Sequence, residues 1–223
     1  MITALILAAG QSKRMGQPKM LMPWGDTTVL EKVIATFKAA GVDEMIVITG
    51  GDRGRVEALV RDAALTVFNP NYAGGEMLSS VQAGLAGLLQ PPPSLRATSP
   101  KSASIHNFNK VLNKSGFGGG REREAVLIAL GDQPQVQERS VRAVLDEYRK
   151  SGAPLVVPSF EMRRGHPWLV TRRYWDEILR MRSPASLRDF LNRHAVDIRY
   201  VELDNSSILQ DLDTPEDYLK SRP

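Results

Sequence analysis

Short apolar, β-branched runs alternate along this chain with amphipathic stretches of helical period, and that alternation narrows the folds open to it. ITALILA (residues 2–8) is followed by TVLEKVIATFKAA, EMIVITG by RGRVEALVRDA, and LTVF by MLSSVQAGLAGLL. The pattern resumes with EAVLIAL, RSVRAVLDEYRK, APLVVP, HPWLVT, RYWDEILRM, SLRDFLNR, VDIRYVEL and a closing TPEDYLKS. Strands that are apolar almost throughout are buried on both faces. The chain is therefore expected to form an α/β fold, a Rossmann-like three-layer sandwich with a mainly parallel sheet between two helical layers.

The 223 residues suit a single domain, 1–223, with a sizeable core. One stretch breaks the rhythm. Residues 91–124 carry proline, serine, asparagine and a glycine triplet with few large apolar side chains, and read as a mobile insertion. Six Arg and Lys against two Glu in it account for the whole formal charge of +4. A general nucleic-acid surface is thus not expected; a basic flap or a docking segment is the functional alternative to a plain surface loop. The chain has no cysteine, which excludes disulfides, thiolate metal sites and a cysteine nucleophile. The opening MITALILAAG lacks a basic leader region and reads as a buried strand. No apolar run reaches membrane-spanning length, so a cytoplasmic protein without membrane contact is expected.

Ligands of open parallel sheets bind at the carboxyl ends of the strands, and LILAAGQSKRMGQPK (5–19) lies at the end of the first. Ala8, Ala9 and Gly10 let a ligand approach the backbone closely, and Gly16 tolerates backbone angles that other residues resist. Arg14 can fork onto phosphate oxygens and Lys19 can act as a mobile point charge. The set suits a triphosphate, although a solvated basic loop would look similar. Gly10 and Gly16 are separated by five intervening residues and Gln17 follows, which fits neither the P-loop nor the dinucleotide-binding spacing.

Further along, AVLIALGDQP ends a strand with Asp132, where a carboxylate suits Mg²⁺, an ion that takes one or two carboxylates plus phosphate oxygens. An ordinary Gly-Asp turn is the plainer reading. Asp211 and Asp213 alternate in an extended segment and face one side, so either can supply a second carboxylate; Asp213 or Thr214 can also cap the helix that begins TPEDY. Ser79 and Ser80 fit a helix N-terminus. His166 can be a simple loop residue, and Trp168, Tyr174 and Trp175 are assigned to packing.

LAAGQSKRMGQPK resembles the signature of the MobA-like nucleotidyltransferases, most closely the molybdenum cofactor cytidylyltransferases. NPNYAGGEMLSSVQAGL (69–85), LGDQP (130–134), RGHP (164–167) and DLDTPEDY (211–218) extend the resemblance over nearly the whole chain. It implies a fold of the nucleotide-diphospho-sugar transferase type and Mg²⁺-dependent transfer of CMP from CTP to molybdopterin, with pyrophosphate leaving. Mn²⁺ is a possible substitute metal. The roles it implies are catalysis by Lys19, Arg14 and Asp132; nucleotide contacts from Leu7, Ala8, Ala9, Gly10, Arg14, Lys19, Gly75 and Ser80; acceptor contacts from Gly165, His166 and Pro167; and metal ligation by Asp132, Asp211 and Asp213. Ala9 points to CTP rather than GTP, because LAGG accompanies guanylyl transfer. A recipient molybdoenzyme or its chaperone is an implied partner. A sugar-phosphate or polyol-phosphate acceptor, and a non-catalytic nucleotide-binding accessory role, remain as alternatives.

Overall fold

The computed structural model describes residues 1–74, 76–89 and 123–223. The insertion expected at 91–124 thus lies, apart from Arg123 and Glu124, outside the described residues, and so does Gly75. In chain order the elements are β1 (Ile2–Ala8), β2 (Pro23–Trp24), β3 (Thr27–Thr28), α1 (Val29–Ala39), β4 (Glu44–Thr49), α2 (Arg53–Val60), β5 (Leu65–Phe68) and α3 (Met77–Leu89). They continue with β6 (Ala125–Leu130), α4 (Glu138–Ser151), β7 (Leu155–Phe160), β8 (Arg163–Arg164), β9 (Trp168–Thr171), α5 (Trp175–Arg180), α6 (Leu187–Arg193), β10 (Ile198–Glu202) and α7 (Pro215–Ser221).

The main sheet runs β10-β7-β9-β6-β1-β4-β5, with β8 beside β7. Strand β1 is parallel to both β4 and β6, β4 to β5, and β7 to β10. The HPWLVT run supplies an exception: β9 is antiparallel to β6 and to β7. Its direction follows from the hairpin that precedes it, where Glu161 (φ 48°) and Met162 (φ 63°) take the left-handed conformations of a tight turn between β7 and β8.

Alternation along the buried strands divides the core between two faces. From β1, Ala4, Ile6 and Ala8 join Leu30, Val33, Ile34 and Phe37 of α1 and Val141, Val144 and Leu145 of α4. Leu5 and Leu7 point the other way, into Leu78, Val81 and Leu85 of α3 and Trp175, Ile178 and Phe190 beyond it. These are the two helical layers. Trp168, Tyr174 and Trp175 are all buried there. A third, smaller cluster joins Met15, Met22, Trp24, Val29, Leu212 and Tyr218. It ties the loop after β1 to the segment before α7, and the Tyr218 hydroxyl secures that contact by donating to the Pro23 carbonyl (2.6 Å).

The connections place a crevice at one edge of the sheet. From β1 the chain winds outward through β4 to β5, then returns to β6 on the other flank of β1. The carboxyl ends of β1 and β6 therefore border the point where the strand order reverses, the usual ligand position in such sheets.

Candidate active site

A cavity of about 390 Å³ opens at this switch point, lined among others by Leu7, Ala9, Gly10, Arg14, Lys19, Ser80, Asp132, Asp211 and Asp213. The loop after β1 is folded back on itself. Ser12, at φ 49°, accepts from the Lys19 backbone N–H through its hydroxyl (3.1 Å) and from the Met15 N–H through its carbonyl (3.0 Å). Gly16 (φ 68°) completes the reversal in a conformation that favours glycine. Ala8 is buried in the core beneath this loop.

Lys19 occupies the centre. Its ammonium lies 2.5 Å from Asp132 and 3.2 Å from Asp213, while Asp213 also receives Arg14 at 3.1 Å. Burial pulls the Lys19 ammonium down, but the charge of Asp132, its hydrogen bond and the contacts with Asp213 outweigh that and hold the group above its ordinary value. It stays charged at neutral pH. The arrangement has a packing cause: Met15 follows Arg14, Leu212 stands between Asp211 and Asp213, and both are buried in the third cluster. The Leu212 N–H donates to the Asp132 carbonyl (3.2 Å), which joins the second aspartate segment to the first.

Asp211 faces the same cavity and accepts from the Gln133 side-chain amide (2.7 Å). Burial, and then the charge of Asp132, raise its carboxyl above the ordinary range, against the opposing effect of the Gln133 bond. Three aspartates with two cations leave a net negative, oxygen-rich corner, a donor set that suits a hard divalent cation. Among the described residues no group of three or more His, Asp or Glu side chains is arranged to hold a metal ion by itself. Mg²⁺ needs no such group, since phosphate oxygens and water complete its shell.

Several residues have structural duties that their sequence positions did not reveal. Asn69, fully buried, donates through one amide nitrogen to the hydroxyls of Ser79 (3.0 Å) and Ser80 (3.1 Å), and so fixes the start of α3 at the cavity wall. Thr214, not Asp213, caps α7 in a reciprocal box with Asp217, so Asp213 keeps its carboxylate for the cavity. Gly165, His166 and Pro167 do not line the cavity. A Cβ on Gly165 would stand 2.5 Å from the Ile208 carbonyl oxygen, so this loop closes tightly over the 206–209 turn. The His166 Nδ1 lies 3.2 Å from the Ile128 carbonyl, and burial pushes the imidazole below its ordinary value against the raising effects of that bond and of Asp132. Tyr72, Glu76 and Met77 also line the cavity. The signal for them was present in NPNYAGGEM, but only the turn between β5 and α3 brings them to the site.

Comparison with known proteins agrees with this geometry. The MobA-like NTP transferase domain model matches residues 4–198. Molybdenum cofactor cytidylyltransferase of Escherichia coli (strain K12) is 27% identical over 99% of this chain and 95% of its own. Nicotine blue oxidoreductase of Paenarthrobacter nicotinovorans is 26% identical over 96% and 93%. The crystal structure of Rv0371c from Mycobacterium tuberculosis H37Rv superposes with a TM-score of 0.72 at 25% identity, covering 98% of this chain and 96% of that one. Its manganese complex gives 0.69 at 24% identity over 98% and 96%. The fold is of the nucleotide-diphospho-sugar transferase type, with a mostly parallel sheet between helices. No helix among the described residues is long and apolar enough to cross a membrane. With the signature loop, the strand-end aspartate and the domain match in agreement, the chain belongs to the MobA-like NTP transferase family and is a nucleotidyltransferase.

Proposed function

We propose that this chain transfers CMP from CTP to the phosphate of molybdopterin, metal-free or carrying molybdenum, and releases pyrophosphate. The observation that carries the reading is the position of Lys19, charged and held between Asp132 and Asp213 with Arg14 beside it, in a cavity at the switch point of the sheet. An acceptor phosphate oxygen forms a bond to the α-phosphorus of the triphosphate as the α–β bridging bond breaks, and the electron pair leaves on pyrophosphate. The acceptor is already anionic, so positioning and charge stabilisation are the protein's main tasks.

Each residue has a part in that scheme. Lys19 supplies positive charge where the α-phosphoryl group gathers negative charge. Arg14, with its side chain 71% exposed and paired with Asp213, would exchange that partner to fork onto the β- and γ-oxygens. Leu7, Ala8, Ala9 and Gly10 would form the backbone edge beside the nucleoside and Ser80 would border the ribose, and the family resemblance adds Gly75, which lies outside the described residues, as a nucleotide contact. Gly165, His166 and Pro167, which the resemblance assigned to the acceptor, do not line the cavity, so any part they take would be indirect, through the 206–209 turn that precedes Asp211. Asp132, with Asp211 and Asp213, would hold Mg²⁺, or Mn²⁺ in its place, as the mycobacterial neighbour has been crystallised with manganese. When bound, the ion neutralises phosphate charge and orients the triphosphate. A nucleoside triphosphate as co-substrate fits a cytoplasmic location, and a recipient molybdoenzyme or its chaperone would collect the product.

The relatives include both a transferase and an oxidoreductase at similar identity, so the reading rests on site chemistry. Pyrophosphate release is the test, with CTP, GTP, ATP and UTP each crossed with molybdopterin and with a panel of sugar phosphates. Release with CTP plus molybdopterin is expected. Release only with a sugar phosphate would replace the acceptor, and nucleotide binding without release from any pair would favour an accessory role.

A further inference from the structure

Three aspartates border the cavity, and they differ in what holds them. Asp132 is paired with the Lys19 ammonium, and Asp213 with both Lys19 and Arg14. Asp211 is held by a neutral group instead: the Gln133 side-chain amide donates to its Oδ1 at 2.7 Å, and among the described residues no salt bridge engages this carboxylate. Gln133 is itself only 3% exposed. Its amide nitrogen also reaches the Ile208 carbonyl (3.4 Å), which accepts from the His166 N–H (3.1 Å). Both contacts are acceptors, so the NH₂ group serves them, and the amide oxygen is buried with no hydrogen-bond partner among the described residues. An unpaired buried acceptor is costly. A leucine of similar volume would pack there without that cost, so what the amide adds is the donor it holds against Asp211.

Resting on the nucleotide-transfer reading above, we infer that Gln133 is a positioning residue, whose amide fixes Asp211 as the carboxylate that joins Asp132 in holding the divalent ion of the triphosphate. Asp211 brings its charge to the ion with no salt bridge to break. A hydrogen bond to one carboxylate oxygen removes rotational freedom without cancelling that charge, and it leaves the other oxygen for the ion. Partners that orient a metal-ligating side chain in this way are commonly worth tenfold or more in metal affinity. The chain order makes the device compact. Gln133 directly follows Asp132, so the turn after β6 carries one ligand and also the group that orders the second. The bond between the Leu212 N–H and the Asp132 carbonyl holds the same two segments together through their backbones.

The test is the Mn²⁺ affinity of the purified full chain, read from the loss of the free-ion EPR signal, with a saturating CTP analogue whose α–β bridge is a methylene group. Gln133→Leu should weaken Mn²⁺ about tenfold while its urea midpoint stays at or above that of the intact protein. Gln133→Met, a second apolar replacement, should behave alike. Asp211→Asn should cause a similar loss, and combining it with Gln133→Leu should weaken Mn²⁺ no further, because the two residues act as one unit. In turnover, Gln133→Leu should need about tenfold more Mg²⁺ for half-maximal rate and should recover kcat when Mg²⁺ is raised. Unchanged Mn²⁺ affinity in the Gln133 variants, or losses that add in the double variant, overturns the inference while the transferase reading stands. So does a urea midpoint well below that of the intact protein, which would make Gln133 a structural residue only. An intact protein that binds no Mn²⁺ beside the analogue overturns both.

Discussion

The Lys19 ammonium stands between two carboxylates, and its backbone is held by Ser12, so both its charge and its position are determined before any ligand arrives. Preorganised charge of this kind acts mainly on the transition state. Lys19→Met should therefore lower kcat by on the order of 100-fold or more with a much smaller change in KM, which steady-state kinetics would resolve. A loss confined to KM would assign Lys19 to ground-state binding. His166 gives a prediction of a different kind. Its imidazole is held below the ordinary value mainly by burial, so the unfolded chain binds its proton more tightly than the folded chain does. The associated stability is complete above the unfolded value of about 6.5 and is lost as pH falls through the lower, folded value. Urea midpoints measured from pH 7.5 to pH 5 should fall more steeply for the intact protein than for His166→Gln. Parallel curves would contradict the assignment.

Leu212 links the elements that build the site. It is fully buried between two cavity-facing aspartates, in a cluster that also holds Met15 from the loop after β1. Leu212→Ala should cost about 2–5 kcal/mol of stability, read by denaturant unfolding, and should weaken divalent-metal affinity because Asp211 and Asp213 lose their common anchor. Loss of stability with unchanged metal affinity would show that the aspartates are positioned independently of this cluster. The elements were largely legible in the sequence, because buried parallel strands and amphipathic helices leave distinct patterns in EMIVITG and TVLEKVIATFKAA. The direction of β9 was not. An apolar run such as HPWLVT looks the same in either orientation, and only the hairpin at Glu161 and Met162 reverses it. The same contrast holds in the site. Arg14, Lys19 and Asp132 stand at strand ends, where spacing exposes them. Tyr72 and Glu76 reach the cavity through a turn, and Asn69 and Gln133 act on its lining residues Ser80 and Asp211 through side-chain hydrogen bonds, which sequence separation hides.

At the scale of the whole molecule, the cavity joins segments from opposite ends of the chain, so ligand binding should be felt as global stability. Leu7, Ala9, Gly10, Arg14 and Lys19 border it from the first segment, Leu130 and Asp132 from the middle of the chain, and Asp211 and Asp213 from near its end. A ligand at one hundred times its Kd stabilises the folded state by about 2.7 kcal/mol. For a chain of this length that corresponds to a Tm increase on the order of 5–10 °C. Thermal unfolding with Mg²⁺ and CTP together should give this shift, EDTA should remove most of it, and Asp132→Ala should fail to produce it. A full shift with CTP in EDTA would argue against metal-coupled binding.

The central claim is that the Lys19, Asp132 and Asp213 cluster receives a metal-bound triphosphate. A crystal structure with Mn²⁺ and a non-hydrolysable CTP analogue, with anomalous scattering used to locate the metal, tests it most directly. The expected result is a manganese peak within coordinating distance of the Asp132 carboxylate, with the Lys19 ammonium on the phosphates. A nucleotide bound elsewhere on the sheet, or a manganese peak away from all three aspartates, would contradict the account.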